Sequence, residues 1–222
     1  MKIRLEDFKN KVVLIYGHSG EGKTTCLSAI AGEIAKQTNK QVLYVATDAN
    51  IKGEFKKQIE QLLGTKVHVP MKAYNVIKLA RELDKNISCF VLDSISGYGD
   101  IYLYWGEHPT TVTRLVSADM RTLTIILQRK MRLQELYAFL VTHAVALFGD
   151  TWKGEGFRPM LAGTAMRNCD VIIKHELVNE DYLWTIKVWR DVDYAKYVGK
   201  QFKPLDLLKG EAHLTSGEKS EG

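Results

Sequence analysis

Five apolar residues, Val12-Val13-Leu14-Ile15-Tyr16, run without a break into Gly17-His18-Ser19-Gly20-Glu21-Gly22-Lys23-Thr24-Thr25. No other stretch narrows the possible folds so far. Gly17, Gly22, Lys23 and Thr24 satisfy the whole Gly-x-x-x-x-Gly-Lys-Thr pattern, known as Walker A. Its setting agrees. A buried strand precedes it, and Leu27, Ile30, Ala31 and Ile34 then recur on one face of a helix. Such a turn brings successive backbone N–H groups around a common centre, beside the positive end of the helix. That arrangement suits a polyphosphate. Lys23 is placed to reach the β- and γ-phosphates, and the Thr24 hydroxyl to ligate Mg²⁺. The expected nucleotide contacts are Gly17, His18, Ser19, Gly20, Glu21, Gly22, Lys23, Thr24 and Thr25, with ATP and Mg²⁺ as the implied ligands.

Three more apolar runs read as buried strands: Val42 to Thr47, Cys89 to Asp93 and Ala138 to Thr142. Helical patterns lie between them. The longest carries Val116, Met120, Leu123 and Leu127 on one face. Continuous apolar strands alternating with helices predict an α/β fold, a mostly parallel sheet covered on both faces. After Asp170 the pattern changes. Val171 to Leu177 and Leu183 to Arg190 flank Asn179-Glu180-Asp181, which reads as an antiparallel hairpin at the C-terminal end. The expected organisation is one domain over residues 1–209 and a disordered polar tail over 210–222.

Among the 222 residues, no apolar run approaches the roughly 20 needed to span a bilayer, and the first residues are charged. No membrane association and a cytoplasmic location are expected. Cys26, Cys89 and Cys169 stand far apart beside apolar neighbours and read as buried small residues. The net charge of +5 is compatible with a nucleic-acid partner without requiring one.

A phosphate loop needs a second oxygen ligand for its metal. Asp93, at the end of the Cys89–Asp93 strand, is in the place of a Walker B aspartate. The alternative is an aspartate that caps the following helix. Thr24 and Asp93 are therefore the expected metal ligands.

These residues resemble the RecA/RadA recombinase family, over about residues 5 to 208. "VLDSIS" is similar to that family's Walker B segment, and "LYVATDANIKGEF" to the segment that carries its catalytic glutamate. "LQRKMRLQELYAFLVTHAV" resembles its long helix running into a strand that ends in Thr-Asn-Gln, and "MLAGTAMRNCDVIIKHE" its approach to a final hairpin. With no helical DNA-binding domain ahead of the core, the chain looks like a short archaeal-type RadA paralogue of the RadB kind. The KaiC-like ATPases are close cousins.

The resemblance implies a RecA-like P-loop ATPase core, with Lys23, Asp48 and His143 as the catalytic residues. Two positions depart from the family. Asp48 stands where the family has glutamate. It is one methylene shorter, and a displacement of about 1 Å costs on the order of 100-fold in rate. His143 stands in place of the sensor glutamine. Each has a plainer reading, Asp48 as a strand-end cap and His143 as a core histidine. No Phe-x-x-Ala polymerisation motif precedes the phosphate loop.

The family also implies DNA-contacting loops. The first would include Tyr98, Tyr102, Tyr104 and Trp105, which read alternatively as core or as a subunit contact. The second carries Trp152, Lys153, Phe157 and Arg158, aromatics to stack on bases and cations to meet phosphates. It reads alternatively as a surface loop without net charge. Lys187 and Arg190, on the last hairpin strand, are candidates to reach a neighbouring subunit's γ-phosphate, or else guard an edge strand. Together these imply a slow ATPase with an auxiliary role in recombinational DNA repair. The expected partners are ATP or ADP, single-stranded DNA and a RadA-type recombinase, and the chain is expected to form a homo-oligomer. A KaiC-like signalling ATPase or kinase, and a non-hydrolysing nucleotide-gated mediator, are the alternatives.

Overall fold

Every second residue of Val12–Gly17 (β2) faces the same side of the sheet, and the two sides serve different cores. Val13 and Ile15 pack with Cys26, Leu27, Ile30 and Ile34 of Lys23–Thr38 (α1) and with Ile59 and Leu63 of Gly53–Leu63 (α2). Val12, Leu14 and Tyr16 face the opposite layer. It is formed by Ala73–Arg81 (α3), Ile95–Tyr104 (α4) and Pro109–Met131 (α5), which present Val76, Ile77, Ile95, Tyr98, Val116, Met120, Leu123 and Leu127. The computed structural model describes residues 1–143 and 167–216.

The remaining strands are Lys2–Ile3 (β1), Gln41–Ala46 (β3), Val67–His68 (β4), Ile87–Asp93 (β5), Tyr137–His143 (β6), Val171–Val178 (β7), Asp181–Trp189 (β8), Lys200–Phe202 (β9), Ala212–His213 (β10) and Thr215–Ser216 (β11). Eight of them join β2 in one nine-stranded sheet, in the order β11-β9-β8-β7-β2-β6-β5-β3-β4, and β1 and β10 pair apart from it. From β7 to β4 the neighbours are parallel; β8, β9 and β11 join antiparallel. This is the expected mostly parallel sheet flanked by helices, with its C-terminal antiparallel hairpin.

The hairpin turn is shorter than the expected three residues. Val178 pairs with Asp181, and Asn179 and Glu180 between them both adopt positive φ, 49° and 69°. Positive φ at both central positions is the requirement of a type I′ turn, whose twist matches the strands.

The stretch from Gly210, expected to be disordered, is in part drawn into the fold. β10 pairs with β1, β11 pairs with β9, and Ala212 is fully buried. Residues 217–222 lie outside the described residues. The three cysteines are buried and unpaired, as expected. No helix among the described residues is long and apolar enough to cross a membrane.

Candidate functional site

Parallel strands deliver their C-terminal ends, and the residues that follow them, to one edge of a sheet. Here register brings four such ends together. Gly17 of β2 pairs with His143 of β6, and Asp93 of β5 pairs with Val141 of β6 and Ala46 of β3. The Gly17–Thr25 loop, Asp93, Asp48 and His143 therefore share one edge. Strand ends are also tied directly, because the Thr47 and Asp48 N–H groups both donate to the Asp93 carbonyl, at 2.7 and 3.2 Å.

The loop's glycines are there for space as well as for backbone freedom. A Cβ on Gly17 would stand 2.3 Å from the His175 carbonyl oxygen, and one on Gly22 2.6 Å from the Tyr182 ring. Gly22 also has φ of 77° and begins α1 with no side-chain cap on its first-turn N–H groups. Lys23 is 5% exposed. Its Nζ donates to the Gly17 carbonyl at 2.8 Å and also to the His18 carbonyl. Burial lowers its pKa, against the upward pull of the Glu21, Asp93 and Asp48 carboxylates. The His18 N–H donates to Glu21 Oε2 at 2.8 Å. These bonds join the loop to itself.

Behind Lys23, the Thr24 hydroxyl donates to Asp93 Oδ2 at 2.6 Å, and the Tyr44 hydroxyl donates to the same oxygen at 2.7 Å. Asp93 is 1% exposed, and burial raises its pKa despite those two hydrogen bonds. Asp93 does not cap the following helix. That role belongs to Ser94, whose Oγ accepts the Gly97 N–H at 3.1 Å.

A carboxylate with a threonine hydroxyl beside it is a hard oxygen donor set, which fits magnesium. Among the described residues, no group of three or more His, Cys, Asp or Glu side chains could hold a metal ion. A magnesium ion held by these two side chains would take the rest of its shell from water or ligand oxygens, as magnesium prefers.

Asp48 uses both oxygens. Oδ1 accepts the Asn50 N–H at 2.9 Å, an Asx turn, and Oδ2 lies 3.2 Å from His143 Nε2. Asp48 is thus a cap and also half of a pair. The bond to His143 is the main cause of its lowered pKa. His143 is not a core residue, since its side chain keeps 26% exposure. Its backbone N–H reaches Ser96 Oγ at 3.3 Å, and its Nδ1 is buried with no partner among the described residues. An open cleft of about 500 Å³, lined by Lys57, Glu60, Gln61, Gly64, Thr65 and Lys66, lies away from all of this. Its Lys66 pairs with its Glu60 at 3.7 Å, and its Lys57 with Glu54 of α2 at 3.4 Å.

No family model matches the sequence, and no curated protein matches it. Among solved structures, the crystal structure of the RadB recombinase matches with a TM-score of 0.61, covering 90% of this chain and 92% of that one at 15% identity. The fold is RecA-like. At that identity the likeness is one of fold.

Within the RecA-like core the other expected site residues fall differently. Trp152, Lys153, Phe157 and Arg158 lie outside the described residues. Lys187 is exposed in the middle of β8. Arg190 follows β8 at the end of the sheet opposite the Walker A loop, and its Nε donates to the Cys169 carbonyl at 2.8 Å. Neither approaches this chain's own loop. The first aromatic cluster divides. Tyr98 is fully buried, and with Tyr102 it donates to Asp119 of α5, so those two join helices. Tyr104 and Trp105 are exposed, at 84% and 54%.

Sequence reading missed four side chains at or behind the loop: Tyr44, His175, Tyr182 and Trp184. The first and last look like ordinary core aromatics. The one available signal was polar. His175 points to the buried face of a strand between the outward-facing Lys174 and Glu176, where a ring needs partners for both nitrogens.

Proposed function

We propose that this chain is an ATP-binding recombinase paralogue that hydrolyses ATP slowly, acts as an auxiliary in recombinational DNA repair and takes single-stranded DNA as a partner. One observation carries the reading: Lys23, Thr24, Asp93, Asp48 and His143, drawn from four separated stretches of chain, converge on one edge of a RecA-like sheet. The likeness in fold to a RadB recombinase supports the recombination half of the proposal.

Each residue then has a task that follows from its chemistry. The loop N–H groups and the α1 N-terminus take the triphosphate oxygens. Lys23 exchanges its two carbonyl partners for phosphate, a stronger charge-assisted acceptor. Magnesium, held by Thr24 and Asp93, would screen charge on the β- and γ-phosphates. Asp48 orients a water and accepts its proton as the water attacks in line. His143 Nε2 donates to the Asp48 carboxylate, and its Nδ1, without a partner among the described residues, can then accept a hydrogen bond from the water. Rate is limited because Asp48 is short and already carries two hydrogen bonds.

That same engagement of Asp48 favours a second reading, a nucleotide-gated mediator that binds ATP without turning it over. Phosphate release by the pure protein with magnesium and ATP, with and without single-stranded DNA, separates the two. Slow release that DNA accelerates is expected. Saturable ATP binding with no release at all would replace the enzyme by the mediator, and release indifferent to DNA would point to signalling.

A further inference from the structure

The Walker A loop is backed by the β7–β8 hairpin through a chain of hydrogen bonds that no local motif announces. His175 and Trp184 face each other across the ladder, and both are buried, at 0% and 1% exposure. An indole nitrogen can only donate. Trp184 Nε1 lies 2.9 Å from His175 Nδ1, so that nitrogen must be the bare acceptor and the imidazole proton must be on Nε2. Nε2 lies 2.8 Å from the Glu21 carbonyl, and donates to it. Burial holds the imidazole pKa below its usual value, in keeping with a neutral ring. The direction of every proton in the chain is thus set: Trp184 to His175, and His175 to Glu21.

The receiving carbonyl belongs to the peptide that links Glu21 to Gly22. A trans peptide is planar, with its C=O and N–H pointing in opposite directions. Holding the Glu21 carbonyl toward β7 turns the Gly22 N–H away from β7. The same hairpin bounds the loop at two more points: the His175 carbonyl leaves no room for a side chain at Gly17, and the Tyr182 ring leaves none at Gly22.

We infer that His175, oriented by Trp184, is a positioning residue of the nucleotide site, which fixes the Glu21–Gly22 peptide so that the Gly22 N–H faces the bound phosphates. The inference rests on the proposed nucleotide binding. A free peptide at this point could turn over, presenting a carbonyl oxygen to an anion in place of a donor. A hydrogen-bonded one arrives already aimed, which is the benefit of preorganisation in an anion site.

The test compares His175→Leu and His175→Phe, which cannot donate, with His175→Gln, whose amide N–H can. MgATP affinity is measured by titration calorimetry, and folding by melting without nucleotide. Expected is a loss of tenfold or more in affinity for Leu and Phe, with Gln within about threefold of the wild type. ATP binding by Leu and Phe as tight as the wild type overturns the inference, as does an equal loss in all three. A second measurement needs no variant. The ¹⁵N shifts of the wild-type His175 ring should report a neutral imidazole protonated at Nε2, and a ring protonated at Nδ1 or at both nitrogens would overturn the chain. If the wild type binds no ATP, the nucleotide reading itself fails and the inference falls with it. Binding that the Leu variant leaves intact sinks the inference alone.

Discussion

At the residue scale, Asp93 shows what burying a carboxylate costs. Burial raises its folded-state pKa above the unfolded value of about 3.8. Between those two values the folded state holds the extra proton, so this group's contribution to stability falls as pH rises through that window. Above it, a buried charge remains, eased by the Thr24 and Tyr44 hydroxyls. Asp93→Asn removes the charge and keeps an oxygen for both hydroxyls. At neutral pH the nucleotide-free variant is therefore expected to melt no lower than the wild type, while magnesium-dependent turnover is lost. Melting several degrees lower would show that the charge itself stabilises the fold. Asp48 behaves oppositely, its pKa lowered chiefly by His143. Asp48→Asn keeps the oxygen that accepts the Asn50 N–H, puts an amide NH₂ against His143 Nε2 and removes the base. Turnover should fall on the order of 100-fold with ATP affinity nearly unchanged, since positioned bases contribute about 10²–10⁴. A steady-state rate within twofold of the wild type would reduce Asp48 to a cap.

At the scale of elements, the β7–β8 hairpin depends on an aromatic cluster that begins before β2. Phe8 is fully buried, with ring centroids 6.4 Å from Trp184, 5.3 Å from Trp189 and 6.4 Å from Phe202. It joins the N-terminal segment to the strands that back the phosphate loop. Phe8→Ala should cost about 3–5 kcal/mol in chemical denaturation, the usual range for deleting a buried phenyl ring. A cost under about 1 kcal/mol would mean that the hairpin stands without it. The elements readable in the sequence were those whose signal is local. β2, β3, β5 and β6 are unbroken apolar runs, and α1 and α5 are long enough for their periodicity to show. β4, β9, β10 and β11 have two or three residues each and are strands only because a neighbour offers a ladder. The site divides in the same way. Gly17 to Thr25 is contiguous and was legible at once. His175 and Trp184 are some 150 residues further along, and only the β2–β7 pairing brings them behind it. Tyr44 looked like sheet core until the β3–β5 register set its hydroxyl against Asp93.

Across the whole molecule the sheet separates tasks. Its parallel half carries the converging strand ends, and its antiparallel half supplies the wall behind the loop and closes the chain. β11 joins that half at β9, and β10 returns to β1 in a two-stranded sheet of its own, so strand pairing continues past 209 to Ser216. The stretch from Gly210 misled because its polar composition says nothing of backbone pairing, and pairing is what holds it. The phosphate loop stands where those two halves meet, with Lys23 on the Gly17 carbonyl and Glu21 on the His18 N–H. The direct measurement is MgATP binding to the wild type and to Lys23→Ala by titration calorimetry. The account predicts saturable binding of one nucleotide per chain, and loss of that binding when the buried cation is removed. Wild-type protein that binds no nucleotide at millimolar ATP, or a Lys23→Ala variant that binds it equally well, would contradict the account.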